Sequence, residues 1–409
     1  MTLVALVLLE TIAGARALLR MLATAGGAPL RNASTGSSEA APAATASVAR
    51  ALGEPLSIAV IVPVLNEAAR VGATLASLSA CGREVTEIVV VDGGSADGTR
   101  AVVDAAAQRD ARVRFVDAAP VAAGWNGKAW NLENGLRATD APWIATIDAD
   151  VRIGATVLRA AVARAEAEGL AALSVATRQE LAGGASALLH PALLTTLVYR
   201  AGLPNVATRD PARVQANGQV FVARRDALVR TDAFRAARAS RCEDVTVARV
   251  LAAAGERIGF YEGDAVVRMY DLWRDCAANW PRSLTLRDGF VSPARLALAL
   301  AEVLFAQALP LPTLIALLLL HERLPSLASE RLPSHLGDSV TAVATAAAFA
   351  LVAMRIGVLV GTRRAYVRPS PLYWLSPLAD LPAVALLIAS ALRRKHVWRG
   401  RALVAEEAA

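Results

Sequence analysis

The sequence predicts an α/β domain of alternating strands and helices, followed by apolar helices of membrane-spanning length. Three observations carry this. From Ser57 onward, short runs of buried-type residues alternate with segments of helical spacing. Two of those runs end in aspartates, Asp92 and Asp148, where the strands of a parallel sheet present their carboxyl ends to ligands. Later, three long apolar segments occupy 296–320, 339–361 and 371–392, each near the roughly 20 residues that a membrane crossing needs.

Composition agrees. Of 409 residues 55% are hydrophobic, too many for an ordinary soluble chain and too few for a pure membrane bundle. The net charge is +7. The basic residues flank apolar segments without aromatic interleaving, which points to an anionic membrane leaflet and away from nucleic acid. Cys81, Cys242 and Cys276 stand at unrelated spacings, giving neither a disulfide framework nor a zinc pattern. They read as reduced thiols.

Residues 1–24 are apolar but contain Glu10, Arg16 and Arg20. They predict either a marginal transmembrane helix or an interfacial helix whose arginines snorkel. Because the charges lie inside the segment rather than before it, a cleaved signal peptide is not expected. Residues 25–52, rich in Gly, Ala, Ser, Thr and Pro, read as a flexible linker.

The α/β domain is placed at 53–269. Its expected elements run strand Ser57–Val64, helix Glu67–Leu78, strand Ile88–Val91, helix Asp97–Ala107 capped by Ser95 or Asp97, strand Val113–Val116, helix Lys128–Arg137 and strand Trp143–Ile147. Strand Gln219–Ala223, helix Asp244–Ala254 and strand Arg257–Tyr261 follow. The alternation predicts a doubly wound sheet. Residues 270–292 are amphipathic and interfacial, 293–392 form the transmembrane region, and 393–409 make a basic cytoplasmic tail. Three crossings would put that tail outside, whereas its arginines and lysine favour inside. Two arrangements reconcile this: Pro310-Leu311-Pro312 breaks the first segment into a re-entrant hairpin, or the last segment, with Asp380 and Pro382, crosses only partly. An even number of crossings is the expectation.

Three constellations carry chemistry. The first is Val62-Pro63-Val64-Leu65-Asn66-Glu67 with Val91-Asp92-Gly93-Gly94-Ser95. A carboxylate in a Gly-rich turn accepts from a nucleobase edge or ribose hydroxyls; the plain reading is a capped turn with local bonds only. No GxGxxG or Walker sequence occurs, so neither a dinucleotide nor a P-loop phosphate is indicated. The second is Ile147-Asp148-Ala149-Asp150 at a buried strand's exit. Two carboxylates there suit Mg²⁺ or Mn²⁺ bridging a diphosphate, against a solvated turn pair. The third is Arg241-Cys242-Glu243-Asp244 opening a helix. Its acids are either dipole-favoured caps or a general base for an accepting hydroxyl.

In this order, over roughly 57–285, the constellations resemble the family 2 glycosyltransferases and their nucleotide-sugar-binding, Rossmann-like GT-A fold. The resemblance implies that Pro63, Glu67 and Asp92 hold the nucleotide of a UDP- or GDP-sugar. Asp148 and Asp150 would bind its diphosphate through the divalent cation, Asp150 more directly, and Asp244, beside Glu243, would be the base of an inverting displacement. The family often has two acids where this chain has Asp92-Gly93, which leaves the nucleobase open.

Gly124-Trp125-Asn126-Gly127-Lys128-Ala129, Asn217-Gly218-Gln219, Arg268-Met269-Tyr270 and Trp398-Arg399-Gly400-Arg401 look like the hopanoid-associated, carotenoid and ceramide branch. That branch implies a lipid acceptor in the bilayer. Gln219 is a donor-contact candidate, and Lys128 either meets a donor phosphate or sugar carboxylate as a point charge or is a solvated lysine at a helix start. Asn279-Trp280-Pro281-Arg282 occupies the family's acceptor region in a different order, so Trp280 and Arg282 are acceptor candidates, and Trp280 is equally an interfacial anchor. The isolated His190, His321, His335 and His396 show no metal spacing. Rival readings are a polyprenyl-phosphate glycosyltransferase, a processive polysaccharide synthase and a catalytically silent nucleotide-sugar-binding scaffold. The expected location is the inner membrane, multi-pass, with the catalytic domain cytoplasmic.

Overall fold

The Val- and Ile-rich run Ile58–Val64 forms β1, covered on both faces as the centre of a sandwiched sheet requires. A computed structural model of the protein describes residues 2–30, 56–181, 183–269, 272–284, 288–320, 334–393, 397–398 and 401–402. In it β1 lies between β2 (Val85–Asp92) and β4 (Trp143–Ile147), parallel to both, and β3 (Val113–Asp117) continues parallel on the far edge of β2. The crossovers run through α1-independent helices numbered after the N-terminal α1 (Thr2–Thr24): α2 (Val71–Ser79), α3 (Thr99–Ala107) and α4 (Gly127–Arg137). Strand order therefore reverses between β1 and β4, the place where such sheets open a crevice for ligands.

The doubly wound expectation fits these four strands and gives way after β4. The full order is β3-β2-β1-β4-β8-β6-β9-β5, with β7 (Val206–Thr208) paired to β9. β8 (Val220–Arg224) is antiparallel to β4 and to β6 (Ala172–Glu180), β6 is parallel to β9 (Ile258–Arg268), and β5 (Val151–Ile153) is antiparallel to β9. The cause is local. Asp148–Asp150 makes a tight turn, with Val151 N–H donating to Asp148 C=O at 3.1 Å, so the chain enters β5 without a crossover helix.

Helix α5 (Val157–Glu168) then leads into β6. One face of the sheet packs Val60, Val62, Leu75, Leu158 and Val175, the other Ile61, Val89, Leu132, Phe221 and Leu251.

Two boundaries shift for visible reasons. The helix expected from Glu67 starts at Val71, because Arg70 and Val71 N–H both donate to Glu67 C=O at 2.9 Å in a preceding turn. The cap of α3 is Gly98, with φ 88 and no side chain to cap with, rather than Ser95 or Asp97; Asp97, one residue before it, accepts from Thr99 N–H at 3.1 Å.

The helical layer comprises α1, α6 (Ser186–Ala201), α7 (Glu243–Ala253), α8 (Trp273–Leu284), α9 (Pro293–Val303), α10 (Pro310–Leu320), α11 (Ser334–Thr362) and α12 (Asp380–Leu392). Of these, α7 packs on the sheet. Ser339–Ala365 and Pro371–Leu392 are each long and apolar enough to cross a membrane. Pro293–Ala308 and Pro310–Leu320 make a third candidate only if taken as one span bent by 42°. The bend follows a π turn at Leu304–Ala308 and coincides with Pro310, which has no N–H to continue the ladder.

Asp380 is compensated within the layer. Arg355 donates to its two oxygens at 2.8 and 2.9 Å, and Gln307 Nε2 donates at 2.8 Å. Linker residues 31–52 and most of the basic tail lie outside the described residues; within the tail, Val397–Trp398 pairs antiparallel with Arg401–Ala402.

Candidate functional site

The carboxyl ends of β1 and β2 are stapled from below. Asn131 Nδ2 on α4 donates to Val64 C=O at 3.2 Å and Val91 C=O at 3.1 Å. This holds Pro63, Val64 and Gly93 along the wall of a cavity of about 1510 Å³.

Glu67 also lines it and pairs with Arg70 at 2.9 Å, whose Nη1 lies 3.8 Å from Asp150. Asp92 goes elsewhere: its carboxylate accepts from Ser95 N–H at 3.1 Å and Ser95 Oγ at 2.6 Å, and it is absent from the cavity wall. The local turn accounts for the contacts described for this acid.

Across the crevice, two neighbours fix the aspartate turn. Thr74 Oγ1 donates to Ala149 C=O at 2.7 Å, and Asp148 N–H donates to Gln219 C=O at 3.4 Å. Gln219 turns its amide toward Thr177 and lines the cavity. The Gly124–Ala129 segment is clasped to the loop before α7: Asn126 N–H donates to Arg238 C=O at 2.7 Å and Asn126 Nδ2 to Ser240 C=O at 2.9 Å. The clasp delivers Lys128 to two acids at once, Asp148 at 2.7 Å and Glu243 at 2.8 Å. Gly218 makes room, since a Cβ there would meet Lys128 Nζ at 2.6 Å and Asp244 Oδ2 at 3.3 Å.

The electrostatics follow. Burial opposes the charge on Lys128, but Asp148, Glu243 and Asp244 outweigh it and hold the ammonium well above its usual range. Burial pushes Asp148 up to about 7; Lys128 pulls it back and Asp150 adds to the rise. Burial raises Asp244 as well, reinforced by Glu243 and moderated by Lys128 and by the Cys242 thiol, which donates to Asp244 at 3.0 Å. A carboxylate held above its ordinary value is suited to take a proton near neutral pH.

The Asp148–Asp150 donor set fits a divalent cation. Both side chains are partly open, at 29% and 26% exposure, and the pair crowds like charge that a cation would relieve. No group of three or more His, Cys, Asp or Glu side chains is gathered for a metal among the described residues. Two carboxylates without a closed cage are what Mg²⁺ or Mn²⁺ uses when substrate phosphates complete its shell.

Of the residues expected from sequence, the cavity brings together Pro63, Glu67, Lys128, Asp148, Asp150, Gln219, Glu243, Asp244, Trp280 and Arg282. Trp280 has one face covered by His190, with ring centroids 3.7 Å apart, and burial drives His190 down to about 3. Sequence reasoning missed Arg70, Arg200 and Arg249 on the same wall. Arg70 lies one helical turn beyond Glu67, a spacing that signals an ion pair. The other two carry no such signal.

Fold and acid-lined crevice together define the glycosyltransferase class of enzyme domain. Residues 59–235 match the model of the family described as Glycosyl transferase family 2. Among solved structures it is similar to the mannosyltransferase PcManGT from Pyrobaculum calidifontis in complex with GDP-Man and Mn²⁺. That likeness has 19% identity, a TM-score of 0.53, and covers 95% of this chain and 98% of that one. Glucosyl-3-phosphoglycerate synthase from Mycobacterium tuberculosis, in complex with Mn²⁺, UDP and its product, matches at 19% identity and TM-score 0.40, over 63% of this chain and 86% of that one. No curated protein sequence matches.

Proposed function

We propose that this protein is a membrane-bound, inverting glycosyltransferase that moves a sugar from a UDP- or GDP-sugar onto a hydroxyl of a membrane lipid. The observation that carries the reading is the meeting of Asp148, Glu243 and Asp244 around Lys128, with Asp150 beside Asp148, in a cavity that reaches Leu296 and Ala299 of the apolar helical layer. The donor nucleotide lies along Pro63, Glu67 and Gly93. Asp148 and Asp150 would hold a Mg²⁺ or Mn²⁺ ion, which would supply charge neutralisation at the donor diphosphate. Lys128 keeps Glu243 and Asp148 in register, and Asp244 takes the proton of the acceptor hydroxyl as its oxygen attacks the anomeric carbon. The bond from that carbon to the diphosphate breaks, and nucleoside diphosphate departs.

The mannosyltransferase neighbour, solved with GDP-Man and Mn²⁺, supports the donor and cation chemistry. The branch resemblance names hopanoid, carotenoid and ceramide-like alcohols as acceptors to try. The apolar helices and basic tail support an inner-membrane, multi-pass location with the catalytic domain cytoplasmic.

The test is donor turnover by detergent-purified protein, given UDP- and GDP-sugars, Mn²⁺ and a membrane lipid extract. Metal-dependent nucleotide release coupled to a new glycolipid is expected, with Asp150→Ala lowering it at least about 100-fold, the scale of lost electrostatic stabilisation in such sites. Nucleotide binding without release from any donor would instead favour the silent scaffold.

A further inference from the structure

The cavity holds a second cluster of charge, of opposite sign, away from the carboxylates. Arg20 on α1, Arg200 on α6, Arg249 on α7 and Arg282 on α8 all line its wall. Arg20 is neutralised by Glu302 at 3.1 Å, and Arg249 by Asp288 at 2.8 Å. Arg200 is satisfied only in part. Its Nε donates to Thr196 C=O at 3.0 Å and its Nη1 to Leu284 C=O at 2.9 Å. Its Nη2 and the Nε of Arg249 are buried without a hydrogen-bond partner among the described residues.

Arg200 meets no carboxylate among the described residues, and burial, with Arg249 and Arg20 nearby, lowers it to about 10. Gathering guanidinium groups in a half-buried wall is unfavourable unless an anion completes their bonds. Phosphate, with several acceptor oxygens, matches the planar donors of arginine.

We propose that Arg200, Arg249 and Arg282 form a subsite for the phosphate of an anionic phospholipid, and that the accepting hydroxyl belongs to that lipid's headgroup. The source is lipid because Leu197, Val198, Leu284, Leu296 and Ala299 line the same cavity, giving an apolar chain a route to the helical layer. Phosphate and nucleophile are separate groups because Asp244 and Arg249 stand on one helix, α7, at an axial offset of about 7.5 Å. The charges that act on Asp244 are Glu243 and Lys128, whereas those that act on Arg200 are Arg249 and Arg20. One cavity thus carries an acid centre for donor and proton transfer, and a basic centre for the acceptor's phosphate. In the reaction the headgroup hydroxyl gives its proton to Asp244 and bonds to the anomeric carbon as the donor diphosphate leaves; the lipid phosphate stays unchanged. The inference rests on the glycosyl-transfer reading for this reaction, but not for binding.

The test uses the full chain in detergent or vesicles, in two arms. In the first, phosphatidylglycerol and diacylglycerol are compared as acceptors in phosphatidylcholine vesicles. KM is expected to be at least tenfold lower for phosphatidylglycerol, and equal use of the neutral lipid overturns the proposal. In the second, glycerol phosphate is titrated calorimetrically at constant ionic strength. Saturable binding is expected, displaced by inorganic phosphate, weakened at least tenfold in Arg249→Gln and partly restored in Arg249→Lys. Absent binding, or phosphate competing with the nucleotide sugar alone, overturns the subsite; wild-type protein suffices for both readings. If no lipid supports nucleotide release, the transfer reading fails, and the calorimetric arm judges the subsite alone.

Discussion

Asp148 shows how one side chain sets a pH dependence. Burial and the neighbouring Asp150 raise it to about 7, and a protonated carboxyl is a poor cation ligand. Mn²⁺-dependent binding of nucleoside diphosphate is therefore expected to strengthen between pH 6 and 8, centred near 7, with excess Mn²⁺ moving the midpoint downward. A profile flat across that range by calorimetry would contradict it. Stability runs the other way. The folded chain holds this proton more tightly than the unfolded chain, so the contribution is full below the unfolded value near 4 and is lost as pH rises to about 7. Asp148→Asn should raise the melting temperature of the metal-free protein at pH 8, by the equivalent of about 1 kcal/mol after discounting for solvent access, and leave it unchanged at pH 4. The aspartate pair was legible in the sequence because two acids at the exit of Trp143–Ile147 have no packing role. Lys128 between Asp148 and Glu243 was not legible, since the loop clasp through Asn126 joins segments more than a hundred residues apart in sequence.

At the scale of elements, legibility followed burial pattern. Strands β1, β2 and β4 are nearly continuous apolar runs, and each stood within a few residues of its expected place. β6 begins among alanines and ends in Thr, Arg, Gln and Glu, so no period of two marked it. α6 is buried along most of its length, which erases the amphipathic stripe that reveals a surface helix. Asp380, one ground for expecting the last apolar segment to cross only partly, has a partner that the sequence did not reveal. Arg355 on α11 reaches it through 25 residues of chain, both side chains are only 4% exposed, and Ser376 accepts a further bond at 3.0 Å. Breaking such a pair leaves an uncompensated buried charge, costing about 3–5 kcal/mol. Arg355→Met alone should lower the thermal midpoint in detergent by several degrees, and Arg355→Met with Asp380→Leu should recover most of the loss. A double variant as unstable as the single would mean that the hydrogen bonds from Gln307 to Asp380 and from Arg355 to Ser376, rather than charge balance, hold these helices together.

In the whole molecule the sheet and the helical layer share one cavity. The turn after β4 and the first turn of α7 supply the acid centre, while α1, α6 and α8 supply basic and apolar walls. The helices contributing those walls are themselves buried by the C-terminal segment. Val198 and Tyr199 of α6 pack with Ala13, Ala17 and Met21 of α1 and with Val303, Val384 and Leu387. Glu302, which pairs with Arg20, belongs to the same segment. Removing residues 293–409 would uncover these apolar faces together and leave Arg20 without its acid. The two face cores of the sheet, by contrast, draw on no residue beyond Val267 except the partly buried Met269. A chain ending at residue 292 is thus expected to aggregate without detergent, judged by size-exclusion chromatography, although its sheet cores are intact. Contiguous apolar surface of this extent drives association whatever the stability beneath it. A monodisperse, soluble truncation that still bound nucleoside diphosphate with Mn²⁺ would show that the helical layer is a separable unit, and that the acid centre does not depend on the walls that the layer supports.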